Sequence, residues 1–265
     1  TFDHNGTGSN DEKFINNGIF DNNGAKAVCN VRAEFVNSKG ATFKNGNGAE
    51  CNLENSKTAE FTNNGTFENG KNAVCNVRAE FVNSKDATFK NGANARCNVE
   101  ATFTNNGTFD NNGANAQCNV KAEFVNSKGA TFKNGNGAEC NLENNETAVF
   151  TNNGTFENGE NAVCNVRAKF VNSEGATFEN GDGAECNLEN NETAVFTNRG
   201  TFENGENARC NVGATFTNSG TFVNHNIFFK PGRTFYTKEG KYKEGKYQET
   251  TFFRDFLMAM ETNLD

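Results

Sequence analysis

The nine cysteines of this chain form one series, Cys29, Cys51, Cys75, Cys97, Cys118, Cys140, Cys164, Cys186 and Cys210, spaced by 22, 24, 22, 21, 22, 24, 22 and 24 residues. A period of roughly 20 to 50 residues marks a solenoid, propeller or array, and it has to be recognised before any local structure is assigned. Because the spacing alternates, a larger unit of two turns is present. Residues 29–74, 118–163 and 164–209 are near copies of one another.

Each turn contains three short alternating segments. The first copy reads Ala27-Val28-Cys29-Asn30-Val31, then Ala33-Glu34-Phe35-Val36-Asn37, then Ala41-Thr42-Phe43-Lys44-Asn45. A period of two puts Ala, Cys, Val and Phe on one side of each segment, as in a half-buried strand. A helix needs apolar spacings of three and four, and these segments are also rich in Gly and Asn. The expected fold is therefore all-β: a single-stranded parallel β-helix (β-solenoid), right-handed, with three short strands per coil of 21 to 24 residues. About nine to ten such coils fill residues 1–226.

Stacking the coils at the ~4.8 Å strand spacing would produce two Phe columns, one Cys column and one Val/Leu column. That reconciles 34% hydrophobic content with a folded state, since the 27 Phe are concentrated inward. Each buried Phe contributes roughly 1.5 to 3 kcal/mol. The outward positions test the register independently. The residue after the third-segment Phe runs Lys44, Glu68, Lys90, Asp110, Lys133, Glu157, alternating in sign until Glu179 and Glu203. A second column alternates Val36, Thr62, Val82, Thr104, Val125, Thr151, Val171, Thr197.

The corners fall at Asn and Gly. Asn45-Gly46, Asn69-Gly70, Asn91-Gly92 and Asn134-Gly135 are expected to supply positive φ. Asn37, Asn63, Asn83, Asn105, Asn126, Asn152, Asn172 and Asn198 recur after the second-segment Phe and predict a stacked amide ladder.

The cysteine file admits three readings: a reduced, buried thiol ladder, disulfides between adjacent coils or between subunits, or a metal site. Adjacent Cα atoms at ~4.8 Å lie within disulfide range, but the side chains run parallel and the number is odd. A linear file presents few of the converging ligands zinc requires. The favoured reading is the structural ladder, with no metal and no cofactor. His4 and His225 are the only histidines, and the Asp and Glu residues sit at repeated equivalent positions, so no catalytic residue is assigned and the chain is expected not to be an enzyme. The Thr column from Thr42 to Thr221 lacks the paired Thr files of an ice-binding face, because Lys, Glu or Asp mostly follows two positions on. Asn-Gly-Asp-Gly-Ala at 180–184 has the look of a calcium loop, but its equivalents lack the carboxylate. Asn-x-Thr triplets at Asn5, Asn64, Asn106, Asn145, Asn153 and Asn191 are expected by chance in so Asn- and Thr-rich a sequence.

A net charge of -8 gives no attraction to nucleic acid, and no apolar run is long enough for a membrane-spanning helix. No basic-then-apolar leader precedes Thr1, and its not being Met suggests a processed or trimmed end. The repeat is already running at Phe14-Ile15-Asn16, so no separate N-terminal cap is expected. Beyond Asn224 the pattern fails, the one proline is Pro231, and Lys-Glu-Gly-Lys-Tyr occurs twice. Residues 227–265 are read as a C-terminal cap or assembly segment. A short amphipathic helix over 251–262 would present Phe252, Phe253, Phe256, Leu257 and Met260 as candidates for assembly.

The G-T-F-x-N-type units resemble, across roughly residues 14–226, those of filamentous-haemagglutinin-like and autotransporter β-helices. The resemblance implies an extracellular adhesive or fibrous role. The expected partner is a second copy of the chain, as homo-oligomer or homopolymer, with a glycan or cell-surface ligand left open. The leading expectation is a filament, sheath or surface-fibre subunit; the alternative is an adhesin or phage-fibre-type module recognising its target through the C-terminal segment. The expected location is extracellular or at the cell surface, and cytoplasmic if the cysteine file is reduced.

Overall fold

The computed structural model describes residues 2–4, 13–54, 59–143, 145–189, 194–205, 207–224, 227–229, 235–237 and 241–244, with side chains described between 13 and 223. Three parallel sheets of eleven strands each enclose one core. Every turn of the chain gives one strand to each sheet: Val28–Val31 to the first, Glu34–Asn37 to the second and Thr42–Asn45 to the third, before Glu50–Leu53 returns to the first. Below, these are the cysteine sheet, the second sheet and the third sheet.

The register is the one set by the repeat. Cys29 lies opposite Cys51, Phe35 opposite Phe61 and Phe43 opposite Phe67. A slip of one residue would turn every Phe to the outside, so burial of one face specifies the pairing strongly. The Phe columns meet as a herringbone. Phe35 stacks on Phe61 with centroids 4.7 Å apart and planes 9° apart, while Phe43 meets Phe61 edge-on at 5.3 Å and 89°. Both contacts are preferred aromatic geometries. They repeat along the column as far as Phe216 and Phe222.

Two kinds of turn alternate between the second and third sheets. A wide turn, Ser38-Lys39-Gly40-Ala41, is followed one coil later by a narrow one, Asn64-Gly65. A Cβ on Gly65 would stand 2.2 Å from the Ala41 carbonyl oxygen and 2.5 Å from that of Ser38. The narrow turn therefore sits in the mouth of the wide turn before it, and only glycine fits. This alternation, repeated at Gly107, Gly154 and Gly200, accounts for the two-coil unit. It ends where Gly220 packs on Gly200, narrow upon narrow.

The expected positive φ at the Asn-Gly corners is corrected by the structure. Left-handed backbone falls two residues further on, at Gly48 (φ 69°) and its equivalent Asn72 (φ 57°), where either residue type is tolerated. Gly70 is constrained instead by space, since a Cβ there would lie 3.0 Å from the Asn45 carbonyl oxygen.

Strands Ile227–Phe229, Phe235–Thr237 and Lys241–Glu244 supply the last strand of each sheet. Phe252, Phe253, Phe256, Leu257 and Met260, with the helix expected over 251–262, lie outside the described residues. No helix occurs among the described residues.

Candidate functional surfaces and the thiol file

Side chains repeated once per coil form continuous columns, and three of these are asparagine. In the second sheet each Nδ2 donates to Oδ1 of its equivalent one coil later: Asn37 to Asn63, Asn63 to Asn83 and Asn105 to Asn126, all at 2.8 Å. This is the expected ladder. A second inward ladder, not foreseen, runs through the third sheet, with Asn45 donating to Asn69 at 2.8 Å and Asn69 to Asn91 at 2.7 Å. Its sequence signal is the Asn of every T-F-x-N segment, a residue that is also a corner former. These amides also donate to backbone carbonyls of the next coil, as Asn37 does to Thr66 O at 2.9 Å. Buried amides are thus satisfied where an unpaired one would cost about 1 to 3 kcal/mol.

The third ladder lies on the outer face of the cysteine sheet and runs the opposite way. Asn52 donates back to Asn30 at 3.0 Å, Asn76 to Asn52 at 2.8 Å and Asn98 to Asn76 at 2.8 Å.

Two charged columns run beside them. The Lys/Glu column of the third sheet has the expected register, with Lys44 opposite Glu68 and Lys133 opposite Glu157, the latter pair at 3.4 Å. Asp110 is the short member: burial raises its pKa against the pull of Lys133 and Lys90, and its Oδ1 is buried without a hydrogen-bond partner. From Glu157 to Glu179 to Glu203 like charges are stacked. The second charged column, at the corner after the cysteine strand, was not anticipated: Arg32, Glu54, Arg78, Glu100, Lys121, Glu143, Arg167 and Glu189 alternate without a break. Glu100 receives Arg78 Nε at 3.0 Å and Lys121 Nζ at 3.2 Å. Although burial opposes its charge, those two cations hold it below the usual carboxylate range.

All nine cysteines are free and buried, with no exposure. Successive thiols are neighbours along the file and shift one another's titration. Burial, then the adjacent thiol of Cys118, pushes Cys97 well above the ordinary thiol value; Cys140 and Cys186 are raised by their neighbouring thiols and then by burial. At Cys118, against burial, and at Cys164 the two neighbouring thiols favour a thiolate. Every buried polar residue described is an asparagine, so no cation is at hand to balance a thiolate, and the file holds its protons.

Among the described residues no three His, Cys, Asp or Glu side chains converge as a metal site. Asp182, in the calcium-like loop, accepts from Asn207 Nδ2 at 2.7 Å. Asn145 donates to Lys121 O at 3.0 Å and its Oδ1 accepts from Thr147 N at 3.0 Å, so its amide is engaged in its own turn. No helix among the described residues is long and apolar enough to cross a membrane. No family model matches the chain, and no curated protein or solved structure matches it.

Proposed function

We propose that this chain is a structural protein, the subunit of a self-assembling filament, sheath or surface fibre in which copies stack through the ends of the solenoid. The observation that carries the reading is the unpaired first coil, where both buried ladders begin. Each inward asparagine of the following coils accepts from the coil before and donates to the coil after. At the far end the last strands set Thr237 opposite Asn218 and Glu244 opposite Asn224, so the ladders stop one coil short of that end. Among the described residues the first strands of the three sheets, Phe2–His4, Phe14–Asn16 and Ile19–Asn22, have a partner on one side only. Open edges of this kind recruit further strands. The large apolar side chains exposed among the described residues, Ile15 (50%) and Ile19 (70%), belong to that same first coil.

Electron microscopy of the purified protein, with light scattering over a wide concentration range, tests the assembly. Linear filaments whose length grows with concentration are expected. Isolated rods of about 50 Å, the length of eleven strands at ~4.8 Å, with a monomeric mass throughout, would refute it.

A further inference from the structure

The thiol file offers chemistry that the scaffold does not use. A free buried cysteine packs as a small apolar residue, a role that Val and Ala fill elsewhere in this core. What sulfur adds is affinity for soft metal ions. We propose that the file binds soft monovalent cations, Cu(I) above all, each ion bridging two successive thiols along the solenoid axis.

The geometry follows from the register. Cys29 faces Cys51, Cys75 faces Cys97 and Cys118 faces Cys140 across adjacent parallel strands. Equivalent atoms repeat at ~4.8 Å, and two metal–sulfur bonds of ~2.3 Å laid end to end span ~4.6 Å. A two-coordinate, linear ion fits that gap. A tetrahedral ion does not, because each gap offers two sulfurs and no third or fourth ligand converges among the described residues. The site is therefore selective for Cu(I) or Ag(I) over Zn(II).

Charge balance fixes the reaction. An anionic bis-thiolate would bury an uncompensated charge in a core whose buried polar residues are all asparagine. The ion instead replaces one thiol proton of the pair it bridges. One S–H bond breaks, a metal–thiolate bond forms at that sulfur, the neighbouring thiol gives a lone pair to the metal, and one proton leaves for solvent per ion bound. No oxidation state changes, and the core stays neutral.

Bonds at sulfur do not lie in a straight line, so one sulfur does not hold ions in both of its gaps. Filled gaps must share no thiol. Nine thiols in file then take at most four ions, with one thiol left over. This sets a parity rule. Cys118→Ser leaves two intact files of four thiols and keeps a capacity of four; Cys140→Ser leaves files of five and three and drops it to three. Both variants lose one sulfur.

The test is anaerobic refolding of the full chain and of each variant with excess Cu(I), followed by native mass spectrometry, circular dichroism and a count of protons released. Expected are four ions for the parent, four for Cys118→Ser and three for Cys140→Ser, with one proton per ion, an unchanged β-sheet spectrum and a raised thermal midpoint. If either variant fails to fold, Cys29→Ser and Cys51→Ser form an equivalent pair, expected to hold four and three. Equal loss in both members of a pair, two protons per ion, loading only with loss of the β-sheet spectrum, equal uptake of Zn(II), or no retained ion would each overturn the proposal.

Discussion

The inside and the outside of this solenoid obey different rules. Inward columns keep the same residue from coil to coil, with Phe upon Phe, Asn upon Asn and Cys upon Cys, apart from the Val/Leu column. Outward columns are mixed in behaviour: Lys over Glu and Val over Thr alternate, while the Thr column and the outward asparagines repeat. Inside, identity is favourable because equal rings stack and each amide both donates and accepts. Outside, identity of a charged residue brings like charges together; the Lys/Glu column of the third sheet avoids this until Glu157, Glu179 and Glu203, whereas Glu34, Glu60 and Glu80 stack in the second sheet. The asparagines show the contrast within one residue type: the inward ladders also bond the backbone of the next coil, whereas the outward ladder is chiefly amide to amide.

If that division holds, the largest loss should come from the aromatic interior. Phe124→Ala empties a position between Phe103 and Phe150, each stacked on it at 4.8 and 4.7 Å, and is expected to cost about 3 to 5 kcal/mol by chemical denaturation. Next is Asn126→Ala, which removes donations to Asn152 Oδ1 and Thr155 O, both at 2.8 Å, and the side-chain acceptor of Asn105, whose Nδ2 keeps Thr131 O at 2.9 Å. A cost of about 2 to 3 kcal/mol is expected. A loss below about 0.5 kcal/mol would show that the ladder is a consequence of stacking and not a contributor to it.

The thiol interior predicts a pH dependence with a definite sign. An unfolded thiol titrates near ~8.5, and Cys97, Cys140 and Cys186 are raised in the folded chain. Above that pH the unfolded chain releases protons that the folded one keeps, so stability is full below pH ~8.5 and falls as pH rises through the folded values. Denaturation midpoints between pH 7 and 10, in parent and in Cys97→Val, should show the smaller alkaline slope in the variant.

Outside, effects should be small. Asn119→Ala, on the outward ladder, is expected to cost about 1 kcal/mol or less; a loss matching that of Asn126→Ala would erase the distinction. Glu179→Lys restores alternation between Glu157 and Glu203 and should stabilise by about 0.2 to 1 kcal/mol at low salt, the gain shrinking as salt is added.

What could be read in advance divides along the same line. Cysteine and Phe columns were legible because stacking in register demands repetition of identity, and Lys44 to Glu157 because it demands alternation. The third-sheet ladder was hidden behind an equally good local explanation, since Asn-Gly is a turn signal whatever else it does. The column from Arg32 to Glu189 was obscured because it sits at a corner where connections vary, as over 32–33 and 54–59. Left-handed φ at Asn72 in place of Gly70 was not legible at all. It depends on how closely one coil's turn approaches the next, which no single segment records.

The nesting of narrow turns into wide ones has a consequence for how such a chain can change length. The wide turn at Ser38–Ala41, Lys44 and Arg32 share one coil, while the narrow turn at Asn64-Gly65, Glu68 and Glu54 share the next. Deleting that second coil would set Lys44 against Lys90 and Arg32 against Arg78 and leave one open-mouthed turn facing another. All three penalties fall together, and all three vanish when two coils are removed. Growth or shortening by duplication is thereby restricted to even steps, which makes the pair of coils, and not the single turn, the unit of inheritance in this chain.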